Sequence, residues 1–227
     1  MADIAAFDFD GTLTNGGSVF AFLEALTDRA TVLSASAALA PRLAHAALVG
    51  GEVAYRTKER LFSRILAGVP ADRLDDVAGR FAGEHLTRHL RHDVGQRLDW
   101  HLRRGDHVVV VSASPECYVA PAAAILGAGG TVATRLEVGA DDRLTGRYLG
   151  GNCRGEEKIR RLRLWIGEIG EDPTLTETRL WAYGNSRGDL RMLAAADVGV
   201  NVGRLGAVGR LRRYPGLRSG ASLRPNG

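Results

Sequence analysis

The sequence predicts an α/β protein, a doubly wound parallel sheet with a Rossmann-like core and an inserted helical cap subdomain. Three observations predict it. Short apolar runs alternate with segments of helical periodicity, the order in which βα units are built. The consecutive valines Val108 to Val111 are apolar on both faces of an extended chain, as a strand in the middle of a parallel sheet must be. Residues 18 to 100 contain no strand-like run, yet their apolar positions recur at helical spacing, as at Leu61, Ile65 and Leu66 or at Val77, Phe81 and Leu86.

Taken in order, Ile4 to Phe9 is a buried first strand that stops at Asp10-Gly11-Thr12. Helices of the cap then occupy residues 14 to 95, so the core consists of residues 1 to 13 and 96 to 203. Gly105 turns into the valine strand, which leaves into Ser112-Ala-Ser-Pro115, and Pro115-Glu116 is a helix start. Thr131 to Val138 and Arg143 to Tyr148 read as strands flanking a β-turn at Gly139-Ala-Asp-Asp142. Glu156 to Ile169 and Arg187 to Ala195 are helical in pattern, and Leu180 to Tyr183 and Val198 to Val202 complete the strands. Residues 204 to 227 form a basic C-terminal tail, where Arg204, Arg210, Arg212, Arg213, Arg218 and Arg224 have no acidic neighbour. It is read either as a solvated tail or as a contact for an anionic membrane surface or partner.

A chain of 227 residues buries a full core without staples. Its 30 basic and 26 acidic residues are interspersed, which argues against a nucleic-acid partner despite the net charge of +4. Two cysteines, Cys117 and Cys153, make neither a disulfide framework nor a zinc site. So few cysteines fit a reducing compartment, and the expected address is cytoplasmic, while Met1-Ala-Asp-Ile4, with no basic and apolar leader, implies no secretion. The most apolar stretch, Ala30 to Gly51, is broken by Pro41, Arg42 and His45, so no transmembrane helix is expected. Its amphipathic character leaves peripheral membrane contact open.

The polar clusters fall just after strands or at helix starts, where open α/β sheets place their ligands. Asp8 and Asp10 are two apart at one strand end, with Gly11 beside them for close backbone approach. The bland alternative is an acidic turn that caps a helix. Ser112, Ala113 and Ser114 form a small-residue loop that offers a hydroxyl and backbone N–H groups to an anion, although Ser112 or Ser114 serves equally as a helix cap. Lys158 stands out among 28 arginines and two lysines, since a compact ammonium suits a tight pocket shared by a phosphate and a carboxylate. Asn185 follows a strand and Asp189 comes one helical turn later, so their oxygens suit a hard cation such as magnesium, with a simple N-cap as the alternative for Asn185. His85, His89 and His92 imitate a metal triad, but Arg88 and Arg91 would repel a cation, and the histidines are expected on an exposed face at the end of the cap.

Together, Asp8-Phe-Asp-Gly-Thr-Leu-Thr14, the strand Val108 to Ser114, Lys158 and Gly184-Asn-Ser-Arg-Gly-Asp189 resemble the four ordered motifs of the haloacid dehalogenase-like phosphatases. Within them the chain is similar to the phosphoserine-phosphatase-like branch, which carries a helical cap after the first motif. The resemblance implies that Asp8 attacks phosphorus and becomes an aspartyl phosphate, and that Asp10 protonates the leaving oxygen and later activates water. It further implies that Ser112, Ala113 and Lys158 hold the phosphoryl group. Magnesium would be bound through the Asp8 carboxylate, the Asp10 backbone carbonyl and the Asn185 side chain, with Asp189 orienting the metal waters and Lys158.

Two positions depart from the pattern. Asn185 stands where many members have aspartate, which removes a formal charge from the cation site. Gly17, nine residues after the nucleophile, replaces the acid that phosphoserine phosphatases use for the substrate's amino group. The cap, with Arg56, Lys58, Arg60 and Arg64, is similar to members associated with histidinol phosphate or with phosphorylated lipids and headgroups. The expected activity is therefore magnesium-dependent hydrolysis of a small phosphomonoester. A phosphotransferase using the same intermediate and a silent phosphate-binding module are the alternatives.

Overall fold

The computed structural model describes residues 2–49, 51–203, 211 and 213–217. Strands form at the most apolar runs: β1 (Ile4–Phe7), β2 (His107–Pro115), β3 (Gly130–Val138), β4 (Leu144–Leu149), β5 (Leu180–Gly184) and β6 (Val198–Asn201). They make one sheet in the order β4-β3-β2-β1-β5-β6. The pairs β2–β3, β1–β2, β1–β5 and β5–β6 are parallel, but β3 and β4 are antiparallel. The predicted parallel sheet thus ends in an antiparallel edge, because β3 and β4 are joined by a tight turn, closed by Gly139 N–H on Arg143 O at 2.7 Å, and not by a crossover helix.

Strand side chains alternate between two cores, as the two-residue period demands. Ile4, Ala6, Val109, Val111, Leu180 and Ala182 face one layer, which is completed by Leu162 and Ile166 of α8 (Glu156–Glu168) and by Met192 and Leu193 of α9 (Leu190–Ala195). Ala5, Phe7, Val108, Val110, Trp181 and Tyr183 face the other. That layer is covered by α6 (His92–Arg104) and α7 (Glu116–Ile125), and its cluster runs without a break into the helices between β1 and α6. Those are α1 (Val19–Leu26), α2 (Arg29–Ala38), α3 (Ala40–Val49), α4 (Gly51–Leu66) and α5 (Ala71–His89). Local chemistry sets their ends: the Asp28 side chain accepts from Thr31 N–H at 2.7 Å to start α2, and Gly105, at φ 79°, ends α6 in the left-handed region.

The helical insertion is tied down in two places. Its two linkers run side by side, with Asn15 N–H on His89 O and Arg91 N–H on Leu13 O, each at 2.8 Å. Farther out, the β3–β4 hairpin grips the turn between α4 and α5 through Gly68 N–H to Leu144 O, Leu144 N–H to Val69 O and Ala71 N–H to Asp142 O. Gly146, at φ 77°, lies so close that a Cβ there would come within 2.4 Å of Ser63 Cα.

The histidine spacing is corrected by the structure. α5 ends at His89 and α6 begins at His92, so the three do not share one helix. His85 is not on an exposed face: it is buried, its ring stacked on Phe81 at 5.2 Å and tilted against Phe9. The apolar stretch Ala30 to Gly51 divides into α2 and α3, and among the described residues no helix is long and apolar enough to cross a membrane. Within the stretch read as a basic tail, Leu211 is buried and Asn201 N–H bonds Pro215 O at 2.9 Å, which returns this segment to the β6 edge. Of its arginines only Arg213 is among the described residues, and it lies over the Tyr214 ring.

Candidate active site

From β1 the chain builds outward through β2 and β3, then returns past β1 to lay down β5 and β6. The strand order therefore reverses between β1 and β5, and the crevice at their carboxyl ends is where such sheets bind ligands. Asp8 is the residue after β1. Phe7 is in register with both Val110 and Tyr183, and Asp8 N–H donates to Tyr183 O at 2.9 Å, so Asp8 sits between the Val111 stretch of β2 and the end of β5. Ser112 on β2 and Asn185 after β5 reach the same rim, and Lys158 arrives from the first turn of α8.

One ammonium joins the pieces. Lys158 Nζ donates to Asp8 Oδ1 at 2.6 Å, to Asp189 Oδ1 at 2.6 Å and to Val111 O at 2.8 Å, and both Lys158 and Asp189 are only 1% exposed. Two carboxylates share one cation, and their other partners differ. Asp189 Oδ2 also accepts from Asn185 N–H, Ser186 N–H and Ser186 Oγ, whereas among the described residues Asp8 Oδ2 accepts from Thr12 Oγ1 alone, at 2.9 Å. The anion is consequently better held on Asp189, whose carboxyl stays below the usual range because Lys158 and Ser186 outweigh the effect of burial. Burial, with the Asp189 charge adding to it and Lys158 opposing, pushes the Asp8 carboxyl up to about 7. Burial also pulls on Lys158, but Asp189 and Asp8 more than offset it and hold the ammonium charged.

The loop after Asp8 brings oxygens toward one another. Thr12 Oγ1 lies 2.9 Å from Asp8 Oδ2 and 3.4 Å from Asn185 Oδ1. Gly11, at φ 77°, has no room for a side chain, since a Cβ would fall 2.0 Å from Asn185 Nδ2. Among the described residues no three His, Cys, Asp or Glu side chains converge on a cation position. What the rim brings together is the Asp8 carboxylate and the Asn185 amide oxygen, each within reach of Thr12 Oγ1, an oxygen set that would suit a hard cation better than a zinc ion. Both Asp189 oxygens are engaged by protein donors, so its geometry suits orientation of Lys158. Neither Asn185 nor the serines of the β2 loop are simple caps: Ser186 caps the short turn Arg187–Asp189, and α7 starts from Pro115 without a side-chain cap.

Ser112 is buried, and its Oγ accepts from Ser114 N–H at 3.0 Å, while Ala113 O accepts from Thr134 Oγ1. Asp10 Oδ1 accepts from Ser18 N–H at 2.8 Å and Oδ2 from Ser114 Oγ. Sequence reasoning did not find Thr12, Ser18 or the role of Arg91. Arg91 was noted only as a charge, yet it is buried and donates to Gly11 O at 3.1 Å and Val202 O at 2.6 Å, bracing the loop after Asp8 against the end of β6. Its bidentate partner Asp93, two residues on, was the available signal. Of the cap cations, Lys58 faces inward: burial depresses its ammonium, and the Asp10 carboxylate partly restores it. Arg64 is exposed, while Arg56 and Arg60 line a groove between α3 and α4 that shares no lining residue with the Asp8 cluster.

Comparison with known proteins adds lineage to this geometry. Protein CicA of Caulobacter vibrioides is 37% identical over 195 residues, which span 86% of this chain and 83% of that protein. A histidinol-phosphatase of Neisseria meningitidis serogroup C is 28% identical over 194 residues, 85% of this chain and 86% of its own. Among solved structures, a protein of unknown function from Bordetella pertussis Tohama I superposes with a TM-score of 0.75 at 25% identity, covering 89% of this chain and 91% of that one. A phospho-aspartyl intermediate analogue of phosphoserine phosphatase shares the fold, with a TM-score of 0.60 at 19% identity over 88% and 86% of the two chains. Residues 5–194 match the family model of the haloacid dehalogenase-like hydrolases, and the chain belongs to that family.

Proposed function

We propose that this phosphatase hydrolyses a small phosphomonoester in a magnesium-dependent reaction that passes through an aspartyl phosphate on Asp8. The observation that carries the reading is the buried Lys158 ammonium, 2.6 Å from both Asp8 and Asp189 at the carboxyl rim of the sheet. A cation that costly to bury is kept where negative charge must be gathered.

In this reading an Asp8 oxygen attacks phosphorus as the ester P–O bond breaks, and Asp10 gives its proton to the departing oxygen. Asp10 then takes a proton from water, which attacks phosphorus and returns Asp8 with release of inorganic phosphate. Lys158, Ser112 and the Ala113 backbone hold the phosphoryl oxygens, and Asp189 keeps Lys158 in place. Asp8, the Asp10 carbonyl and Asn185 would hold magnesium, which when bound supplies positive charge that favours the Asp8 anion and neutralises the phosphoryl oxygens. Histidinol phosphate, phosphoserine-like esters and phosphorylated lipid headgroups are the substrates to try, and the Neisseria relative supports the first. A cytoplasmic address fits two cysteines that are both free.

Turnover of p-nitrophenyl phosphate and of a phosphoester panel, with magnesium, with EDTA and with Asp8→Asn in parallel, tests the reading. Turnover that needs both the metal and Asp8 is expected. Turnover that survives Asp8→Asn, or no turnover on any ester, would overturn it.

A further inference from the structure

We propose that Ser18, Ser114 and Tyr118 are positioning residues that hold the Asp10 carboxylate for proton transfer to the leaving group; the inference rests on the acid role given to Asp10 above. Three separate parts of the chain supply them: the loop before α1, the end of β2 and the first turn of α7. Ser18 N–H donates to Asp10 Oδ1 at 2.8 Å and Ser114 Oγ donates to Oδ2, so each carboxylate oxygen has its own donor. Behind them, Tyr118 OH and Ser18 Oγ share a hydrogen bond of 2.7 Å, and Ser114 N–H is fixed on Ser112 Oγ.

All three are at most 3% exposed. The Tyr118 ring is packed among Phe9, Phe22 and Phe81, with centroids at 6.4, 4.5 and 5.2 Å. In such an aromatic pocket phenylalanine would pack as well, and a buried hydroxyl without a partner costs free energy. The phenol therefore has a use, and the hydroxyl it reaches belongs to the residue whose backbone holds Asp10. Ser114 needs no phosphate contact to explain its burial. Fixing both oxygens removes the rotation of a carboxyl group that has to meet one ester oxygen, and a misplacement of about 1 Å at such a contact costs about a hundredfold in rate.

The leaving group separates this role from a merely structural one. An alkyl phosphate needs its departing oxygen protonated, and dinitrophenyl phosphate hardly does. kcat/KM is the quantity to compare, because it reports the steps up to departure and excludes the later hydrolysis of the aspartyl phosphate. Tyr118→Phe and Ser114→Ala are expected to raise the ratio of kcat/KM for dinitrophenyl phosphate over alkyl phosphate by about tenfold each. An equal loss on both esters, or no change in the ratio, would overturn the proposal. Asp10→Asn is the control: if it too leaves the ratio where it was, the acid role itself fails, whereas a shift with Asp10→Asn alone defeats only the positioning role. Should Tyr118→Phe not fold, Ser114→Ala decides the matter by the same ratio.

Discussion

Lys158 Nζ stands 2.6 Å from Asp8 Oδ1 and 2.6 Å from Asp189 Oδ1, one cation between two buried carboxylates. Removing it leaves both anions without their common partner. Lys158→Met is expected to lower kcat/KM by at least about a hundredfold and to destabilise the fold by about 3 kcal/mol. Lys158→Arg would not rescue it, since a planar guanidinium cannot make three short bonds from one nitrogen in that space. Steady-state kinetics and urea unfolding check both.

Asn185 brings an amide oxygen to a rim whose other candidate donors are the Asp8 carboxylate and a backbone carbonyl. Asn185→Asp adds a formal charge there, and the magnesium concentration that gives half-maximal rate should fall several-fold. A magnesium titration of the rate that does not move would remove Asn185 from the metal site.

Gly11→Ala puts a methyl 2.0 Å from Asn185 Nδ2 and strains a backbone at φ 77°. A stability loss of about 1 to 3 kcal/mol is expected, with a weaker response to magnesium.

His101 reports on acid stability. Its ring bonds Asp106 at 2.7 Å through Nδ1 and Tyr183 OH at 2.8 Å through Nε2, and it is fully buried. Burial depresses it to about 4, with Asp106 opposing. The unfolded chain binds the proton first, so this stability is whole above about pH 6.5 and is lost as pH falls toward about 4. Urea midpoints across that window should drop for the parent protein, and His101→Phe should flatten the drop while lowering stability at neutral pH.

Much of the site was legible because its residues carry chemistry that the core has no use for. Asp8, Asp10, Lys158, Asn185 and Asp189 are polar groups at strand ends or helix starts, and two lysines among 28 arginines drew the eye to Lys158. The strands were legible from their apolar runs, and the β-turn at Gly139-Ala-Asp-Asp142 already carried the signal for an antiparallel β3–β4 pair that the expectation of a parallel sheet passed over. What stayed hidden depends on distance in the chain. Arg91 meets Gly11 and Val202, 80 and 111 residues away, and Ser18 meets Tyr118 100 residues on, so spacing gives no sign of either. His85 was misjudged because part of what buries it, Phe9 just beyond β1, is far off in the chain, while the helix break at Leu90 and Arg91 removes His92 from a spacing that looks continuous.

The grip of the β3–β4 hairpin on the turn between α4 and α5 bears on how substrate reaches Asp8. Lifting the helices away there breaks three backbone hydrogen bonds, at a net cost of about 3 kcal/mol. At equilibrium fewer than about one molecule in a hundred would stand open at that side. A route to Asp8 that required lifting this turn would therefore be open in few molecules at any instant.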